Sequence, residues 1–139
     1  MRDSTFWMDF AVEHSPILRL TNGEVCPVHH PEFSSSVSLW VCKGDVKTHV
    51  DLIEENVTRT VAVILWSHGS CEFYQTSENL NIPLKEGVIF DFDPHKPHGL
   101  IRENKDGHLI YATYDMPEGM YESGLLYIVQ QMLLDLLEV

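Results

Sequence analysis

The sequence predicts one mainly β domain that ends in an α-helix. Short runs of β-branched and aromatic residues recur about every 8–12 residues between positions 37 and 115, with turn residues between them, which is typical of a β-barrel or β-sandwich. Residues 119–138 lack this rhythm, since their apolar side chains repeat at helical spacing. The 139 residues suit a single domain over positions 1–139, with its core at about 37–115.

The composition indicates a globular protein with an acidic surface. Hydrophobic residues make up 44% of the chain, and 21 acidic residues stand against 9 basic ones, which gives a net charge of −12. This excess argues against a nucleic-acid backbone as partner, because phosphates need a basic surface. The three cysteines show no metal-site spacing, the N-terminus has no leader pattern, and no apolar run reaches membrane-spanning length. We therefore expect a cytoplasmic protein with reduced thiols and no membrane partner.

The first 36 residues give the weakest signals. Four apolar residues suit either a short helix or a strand: Phe6, Trp7, Phe10 and Val12. Residues 16–20 predict a short strand that ends in an Asn-Gly turn, and residues 24–26 predict its partner. His29 and His30 are adjacent, so their side chains point in different directions, and we expect exposed loop residues rather than metal ligands.

Further strands and one helix are predicted from the alternation of apolar stretches and turns. The strands cover residues 37–42, 47–53, 58–66, 71–75, 79–84, 88–93, 99–103 and 108–115. The segment 58–66 is apolar on both faces, which predicts a central strand that is covered on both sides. The helix carries an apolar stripe of Leu125, Val129, Met132, Leu133, Leu136 and Leu137. We expect this stripe to pack on the outside of the sheet, although part of it also suits the seam of a homodimer.

Three residues are candidate metal ligands: His49, Asp51 and His98. His49 and Asp51 are two residues apart on a predicted strand, so both side chains leave the same face. His98 follows the strand 88–93 after a proline-containing turn. Two imidazoles and one carboxylate form the facial ligand set of non-haem Fe(II) oxygenases. A His-x-Asp pair is common by chance, and the order of the surrounding strands strengthens the interpretation.

Other residues are weaker candidates for the same region. His95, in a predicted loop tip, is the rival third ligand, whereas His68 lies in a predicted tight turn. Three tyrosines are candidates for the lining of a pocket: Tyr74, Tyr111 and Tyr114. Asp91 and Asp93 share a strand face, but without a second acidic pair they are a weak catalytic carboxylate pair.

Three segments within residues 37–115 together resemble the Fe(II)- and 2-oxoglutarate-dependent oxygenases. They are residues 48–51 (Thr-His-Val-Asp), 87–91 (Gly-Val-Ile-Phe-Asp) and 97–99 (Pro-His-Gly). The resemblance implies a double-stranded β-helix, or jelly roll, close in shape to a cupin. It also implies Fe(II) bound by His49, Asp51 and His98, and a hydroxylase-type dioxygenase that uses 2-oxoglutarate and O₂. Because the chain is short, we expect the substrate to be a protein or another large molecule.

The sequence departs from this family at the residue that anchors the cosubstrate. The family usually carries an arginine at the start of the strand after the distal histidine, where this chain has His108. Histidine lacks the rigid fork and the permanent charge of arginine. Arg102, which shares a strand face with His98, and Arg59, at the start of the central strand, are the other predicted anchors for 2-oxoglutarate. Two alternatives stay open: a cupin-like metal protein that uses no 2-oxoglutarate, and a non-catalytic acidic module that binds a basic partner.

Overall fold

The computed structural model describes residues 5–14 and 17–137. In this part of the chain, nine strands form two antiparallel sheets that face each other. The strands are β1 (Val25–Val28), β2 (Ser38–Lys43), β3 (Val46–His49), β4 (Val57–Ser67), β5 (Cys71–Gln75), β6 (Leu80–Pro83), β7 (Ile89–Phe92), β8 (His98–Arg102) and β9 (His108–Pro117). The described helices are α1 (Phe6–His14) and α2 (Leu126–Leu134), and short 3₁₀ turns span Ile17–Arg19, Thr76–Glu78 and Asp135–Leu137.

The order of the strands identifies a jelly roll. The larger sheet has the order β1-β2-β9-β4-β7, and the smaller sheet has the order β3-β8-β5-β6. From β2 onward the chain crosses between the two sheets at almost every connection, so early and late strands alternate within each sheet. This is the winding of a double-stranded β-helix, with β1 as an added edge strand. The predicted fold class is confirmed.

Strand β4 is covered on both faces, as predicted for residues 58–66. It pairs with β9 on one side and with β7 on the other, and residues 60–65 are buried. Successive side chains of a strand point to opposite faces, so β4 contributes to two parts of the core. Ile64 packs with Phe73 between the sheets, whereas Val61 and Val63 pack under the helices.

Both helices cover the outer face of the larger sheet. The N-terminal apolar residues form the helix α1 rather than a strand, and Trp7 of this helix is buried against the sheet. Val129 and Leu133 of α2 are buried in the same cluster. The predicted helix 119–138 is too long at its start, because Gly119 and Gly124 have φ angles of +89° and +75°, outside the right-handed helical region. Position 138 lies outside the described residues.

Most of the predicted apolar stripe of the C-terminal segment packs on its own domain, but its first residue, Leu125, is 37% exposed. Val129, Leu133 and Leu136 are buried against the sheet side of the core. The outer face of α2 presents Tyr127 and Ile128, which are 68% and 63% exposed. Because the domain already buries much of the stripe, a homodimer through this helix would have to use other side chains, and it stays a prediction.

The N-terminal region differs from its predicted hairpin. Ile17–Arg19 forms a 3₁₀ turn where a strand was predicted at 16–20, and Pro16 lies outside the described residues. Strand β1 therefore pairs with β2 instead. His29 is exposed, as predicted, but the half-buried ring of His30 lies 4.5 Å from the ring of Phe33, centroid to centroid. His30 is an aromatic packing residue rather than an exposed loop residue.

The cysteines and the helices bear on two further predictions, reduced thiols and no membrane partner. All three cysteines are free thiols, and burial raises the pKa of Cys42 to about 12. A buried thiol with so high a pKa is a poor nucleophile and a poor metal ligand. Among the described residues, no helix is long and apolar enough to cross a membrane.

Candidate metal centre

His49, Asp51 and His98 come together where β3 ends and β8 begins. His49 and His98 lie opposite each other in the antiparallel register of these two strands. Asp51 lies in the loop after β3, not on the strand as predicted, and its N–H donates to the Pro94 carbonyl at 3.0 Å. Its Oδ1 atom is 3.3 Å from His49 Nε2 and 3.2 Å from His98 Nε2. The three side chains predicted to bind metal therefore converge, and metal binding itself stays a prediction.

The hydrogen bonds of the two imidazoles leave a place for a cation. His49 Nδ1 lies 2.7 Å from the Lys47 carbonyl, and His98 Nδ1 lies 2.8 Å from the Lys96 carbonyl. A carbonyl only accepts hydrogen bonds, so each Nδ1 carries a hydrogen and donates it. In the neutral rings both Nε2 atoms then carry lone pairs that face Asp51 Oδ1, a third acceptor. A proton on His98 Nε2 resolves this conflict in the metal-free protein, and a metal ion bound between the three atoms would resolve it as well. Backbone carbonyls are common partners for the outer nitrogen of metal-binding histidines.

The two nitrogen–oxygen distances also fit ligands of one metal ion, and all three ligand atoms lie within 4.8 Å of one another. Two ligands at right angles, each bonded at ~2.1 Å, lie about 3 Å apart, and the two nitrogen–oxygen distances are 3.2 and 3.3 Å. His98 is only 4% exposed, whereas His49 and Asp51 remain partly open to solvent. In the metal-free protein, burial lowers the pKa of His98, but hydrogen bonds with Asp51 and the Lys96 carbonyl outweigh it and raise the pKa above its usual value.

A buried glutamine at the end of β5 holds the turn that carries the distal histidine. Gln75 has no exposed surface, and its Nε2 donates to the carbonyls of Asp93 at 2.7 Å and Lys96 at 3.1 Å. Its Oε1 accepts the Asp93 N–H at 3.3 Å. The Lys96 carbonyl therefore accepts hydrogen bonds from both Gln75 Nε2 and His98 Nδ1. The sequence analysis missed Gln75, and the available signal was a polar residue at an inward position of an alternating strand.

The glycine after His98 allows the two histidine-bearing strands to approach. A Cβ on Gly99 would lie 2.6 Å from the Val46 carbonyl oxygen and 2.5 Å from the Tyr74 hydroxyl. Only glycine fits such a close backbone approach without displacement. Because this approach sets His49 opposite His98, the glycine of the Pro-His-Gly segment is part of the geometry of the site.

A cavity of about 330 Å³ lies between the sheets, and the three candidate ligands form part of its wall. Its aromatic lining consists of Trp40, Phe73, Phe90, Phe92 and Tyr111. This volume lies at the small end of the range for ligand pockets. Of the three tyrosines predicted to line a pocket, Tyr111 does so. The Tyr74 hydroxyl pairs instead with Thr48 at 2.6 Å, and Tyr114 packs on the helix side of the sheet.

The cavity wall also carries polar groups beyond the three candidate ligands. Thr60 Oγ1 donates to Asp115 Oδ1 at 2.9 Å, and Trp40 Nε1 donates to Thr113 Oγ1 at 3.0 Å. Asp115 lies at the exposed rim of the cavity, where partial burial raises the pKa of its carboxyl group and the hydrogen bond from Thr60 offsets part of that rise. The sequence analysis did not single out Asp115, although its alternation with Tyr111 along β9 was visible.

The three predicted anchors for 2-oxoglutarate lie outside this cavity. His108 is on the face of β9 opposite Tyr111. Arg102 is buried, and its Nη1 donates to a backbone carbonyl at the far end of the barrel at 2.7 Å. Arg59 binds Asp91 with Nε and Nη2 at 3.1 and 2.8 Å, so its charge is already paired. The positions of these side chains do not support the predicted anchoring role.

The weaker candidates make contacts of their own. His95 Nε2 lies 2.6 Å from the Val57 carbonyl, and the ring of His68 stacks on Trp66 at 5.9 Å between centroids. Asp93 accepts the backbone N–H of His95 at 2.9 Å. In the part of the chain that the structure describes, the group of ligand atoms within 4.8 Å of one another contains neither of these histidines.

Comparison with known proteins gives a likeness of architecture. No protein-family model matches the chain, and no curated sequence is significantly similar to it. Solved structures with a similar shape include an RmlC-like cupin protein from Desulfovibrio desulfuricans, with 21% identity, coverage of 65% of this chain and 79% of that chain, and a TM-score of 0.41. An uncharacterized conserved protein with a double-stranded β-helix domain from Klebsiella pneumoniae has 19% identity, coverage of 74% and 85%, and a TM-score of 0.46.

A cupin domain from Bordetella pertussis is a further example, with 13% identity, coverage of 69% of this chain and 95% of that chain, and a TM-score of 0.43. At these identities and TM-scores the similarity carries no information about the chemistry of the site. The strand order defines the fold on its own. The chain is a double-stranded β-helix with a candidate His/Asp/His metal centre.

Proposed function

We propose that His49, Asp51 and His98 bind one divalent metal ion, and that the protein is a metal-dependent enzyme whose substrate occupies the adjoining cavity. The observation that supports this best is the arrangement of acceptors around Asp51 Oδ1. Both imidazole Nε2 atoms face that oxygen at 3.2 and 3.3 Å, while both Nδ1 atoms donate to backbone carbonyls. Fe(II) is the ion that we expect, and when bound it would supply oxidation chemistry with O₂.

The surrounding residues have separate tasks in this proposal. The Lys96 carbonyl and Gln75 fix the ring of His98, so that its Nε2 is presented to the ion in one orientation. The ring of Phe92, 4.8 Å from that of His98 between centroids, excludes water from the buried side. His49 lies on the exposed side, where ligands can exchange with solvent. A substrate in the cavity would therefore meet the ion from an apolar side.

The geometry favours a reaction that does not use 2-oxoglutarate. A 2-oxoacid cosubstrate needs a cation for its far carboxylate, as the family resemblance implies. Among the described residues that line the cavity, none is lysine or arginine. The 2-oxoglutarate-dependent dioxygenase remains the second candidate, and what favours it is the order of the His-x-Asp and Pro-His-Gly segments along the jelly roll.

Anaerobic titration of metal-free protein with Fe(II) tests the proposal. We expect one ion per chain for the wild type, and a loss of affinity of about 100-fold or more for Asp51→Ala and His98→Ala. His29→Ala is the matched control, because His29 is exposed and belongs to no ligand group. Affinities that do not change in Asp51→Ala would contradict the proposal.

A second titration separates the two candidate reactions. Fe(II)-loaded protein is mixed with 2-oxoglutarate without O₂, and the visible spectrum is recorded. Chelation of a 2-oxoacid by Fe(II) would give a charge-transfer band, as the family resemblance implies. We expect no band at 2-oxoglutarate concentrations that saturate known users of this cosubstrate. A saturable band would favour the dioxygenase that uses 2-oxoglutarate.

A further inference from the structure

The cavity beside the candidate metal centre carries an acidic side chain outside the His/Asp/His group. Strand β9 directs Tyr111, Thr113 and Asp115 toward the cavity, because alternate residues share one face. Thr60 Oγ1 donates to Asp115 Oδ1 at 2.9 Å and so fixes the carboxylate. Among the described residues, the other oxygen, Oδ2, has no hydrogen-bond partner. Because Asp115 is exposed at the rim of the cavity, this oxygen is open to a hydrogen bond from water or from a ligand.

Positive side chains that could neutralise this carboxylate are committed elsewhere. The described lining contains Asp51 and Asp115 but no lysine or arginine. Arg59 is paired with Asp91 outside the cavity, at 2.8 Å. Arg102 is buried toward the far end of the barrel, with its Nη1 on a backbone carbonyl. In the metal-free protein the described lining therefore offers Asp115 no cationic side chain, and an ammonium group suits this part of the cavity better than a second carboxylate.

The rest of the lining fits an apolar body of modest size. Trp40, Phe73, Phe90, Phe92 and Tyr111 present ring surfaces to the cavity. A volume of about 330 Å³ accommodates one aromatic ring with a short chain. Rings of this kind also attract an ammonium group near their faces. The apolar walls and the carboxylate of Asp115 thus point to the same type of ligand.

We propose that this cavity binds a small primary amine with an aromatic or similarly bulky apolar body, whose ammonium group is recognised by Asp115. Thr60 is a positioning residue, since it acts by orienting the carboxylate. The inference rests on the proposed function only in that the amine would be the substrate of the metal centre. The binding step itself needs no metal.

Three probes of similar shape and different charge test the inference: phenethylamine, 2-phenylethanol and 3-phenylpropionate. Their binding to chelator-treated protein is measured by calorimetry or by chemical-shift titration. We expect the amine to bind at least about tenfold more tightly than the carboxylate, with the alcohol between them, because one charge-assisted hydrogen bond is gained or opposed. Equal binding of amine and carboxylate to the wild type would overturn the inference, with no variant needed.

Variants then assign the preference to Asp115. Asp115→Asn keeps the shape of the side chain, and we expect it to weaken amine binding about tenfold while the alcohol changes less than about threefold. Thr60→Val should weaken the amine by a smaller factor, about threefold, because the carboxylate remains but is less well oriented. Asp106→Asn is the matched control, since Asp106 is an exposed carboxylate in the β8–β9 turn, with its side chain 89% exposed.

The outcomes separate this inference from the metal proposal. A uniform loss for all three probes in Asp115→Asn would show that shape rather than charge is read, and would overturn the inference. Amine preference in chelator-treated protein that is lost in Asp115→Asn supports it whether or not Fe(II) binds to His49, Asp51 and His98. A preference retained in that variant would assign it to Asp51 and overturn the inference. Conversely, tight Fe(II) binding without any amine preference would leave the metal proposal standing and refute only the assignment of the ligand.

Discussion

Replacement of Gln75 by leucine tests how the fold positions the candidate metal centre. Gln75 is fully buried, and its amide binds three backbone groups of the turn at residues 93–96. Leucine is of similar size and makes none of these hydrogen bonds. The change therefore removes the support of the His98 turn without opening a large cavity, and it leaves all three candidate ligands in place.

The expected magnitude follows from the groups that lose their partners. The Asp93 N–H loses its side-chain bond at 3.3 Å, whereas the Asp93 carbonyl keeps the Lys96 N–H at 3.3 Å and the Lys96 carbonyl keeps the His98 ring at 2.8 Å. Each buried group left unpaired costs about 1–3 kcal/mol. Since one buried group is left unpaired, we expect the free energy of unfolding of Gln75→Leu to fall by about 1–3 kcal/mol. Because the carbonyl that orients His98 is no longer fixed, metal affinity should fall by about 10–100-fold.

Two measurements on the same samples check these values. Urea unfolding of metal-free protein gives the stability change, and anaerobic Fe(II) titration in native conditions gives the affinity change. Gln131→Leu is the control, because Gln131 is exposed on α2 and the same substitution there should change stability by no more than about 0.5 kcal/mol. Gln75→Glu is a second variant that keeps the acceptor but turns the donor group into an oxygen facing two carbonyls.

The pattern of results decides between explanations. If Gln75→Leu lowers stability but leaves Fe(II) affinity unchanged, the turn does not control the orientation of His98, and the positioning argument is refuted. If neither quantity changes, the hydrogen bonds of Gln75 contribute nothing net. A Gln75→Glu protein as stable as the wild type at neutral pH would contradict the assignment of its Nε2 as the donor to Asp93 and Lys96.

Three further predictions concern the barrel away from the cavity. Leu133→Ala should lower the free energy of unfolding by about 2–5 kcal/mol, because this side chain of α2 is fully buried. Ile128→Ala, on the exposed face of the same helix, should change it by less than about 0.5 kcal/mol. Equal effects in urea unfolding would contradict the packing of the helix. Gly107→Ala should cost about 1–3 kcal/mol, because its Cβ would lie 2.5 Å from Arg102 Nη1; a thermal midpoint equal to that of the wild type would contradict this. Burial and, to a smaller extent, nearby positive charges lower the pKa of His108 in the folded protein. Below the unfolded-state pKa of about 6.5, the unfolded chain therefore binds a proton that the folded chain does not. The free energy of unfolding consequently falls on acidification. His108→Asn should flatten that slope between about pH 7 and pH 5; parallel slopes would refute the assignment.

The sequence was most informative where one physical signal dominated. Strand β4 is apolar on both faces, and it is buried from residue 60 to residue 65, so periodicity alone located it. The candidate ligands could also be predicted from the sequence, because His49 and His98 flank turns that a jelly roll brings to the same end of the barrel. The helix start at residue 126 could not be predicted in this way. The residues before it are already apolar at helical spacing, but Gly119 and Gly124 have positive φ angles, so the helix begins only after them.

The support of the site depends on contacts that no local pattern encodes. Gln75 lies 18 residues from Asp93 and 21 from Lys96 along the chain, and only the pairing of β5 with β8 brings them together. Asp115 was hidden for a similar reason, because its partner Thr60 is 55 residues away. Long-range pairing decides which polar residue of a strand faces a cavity, and a single sequence does not reveal it.

The position of Arg102 argues against its predicted role as the anchor for 2-oxoglutarate. Arg102 shares a strand face with His98, but four residues at ~3.3 Å separate their Cα atoms by about 13 Å. Its guanidinium extends away from the centre, since a Cβ on Gly107 would lie 2.5 Å from its Nη1. A five-carbon diacid bound to the centre spans only about 5 Å between its two ends, from C–C bonds of ~1.5 Å. We therefore do not expect Arg102 to hold its far carboxylate.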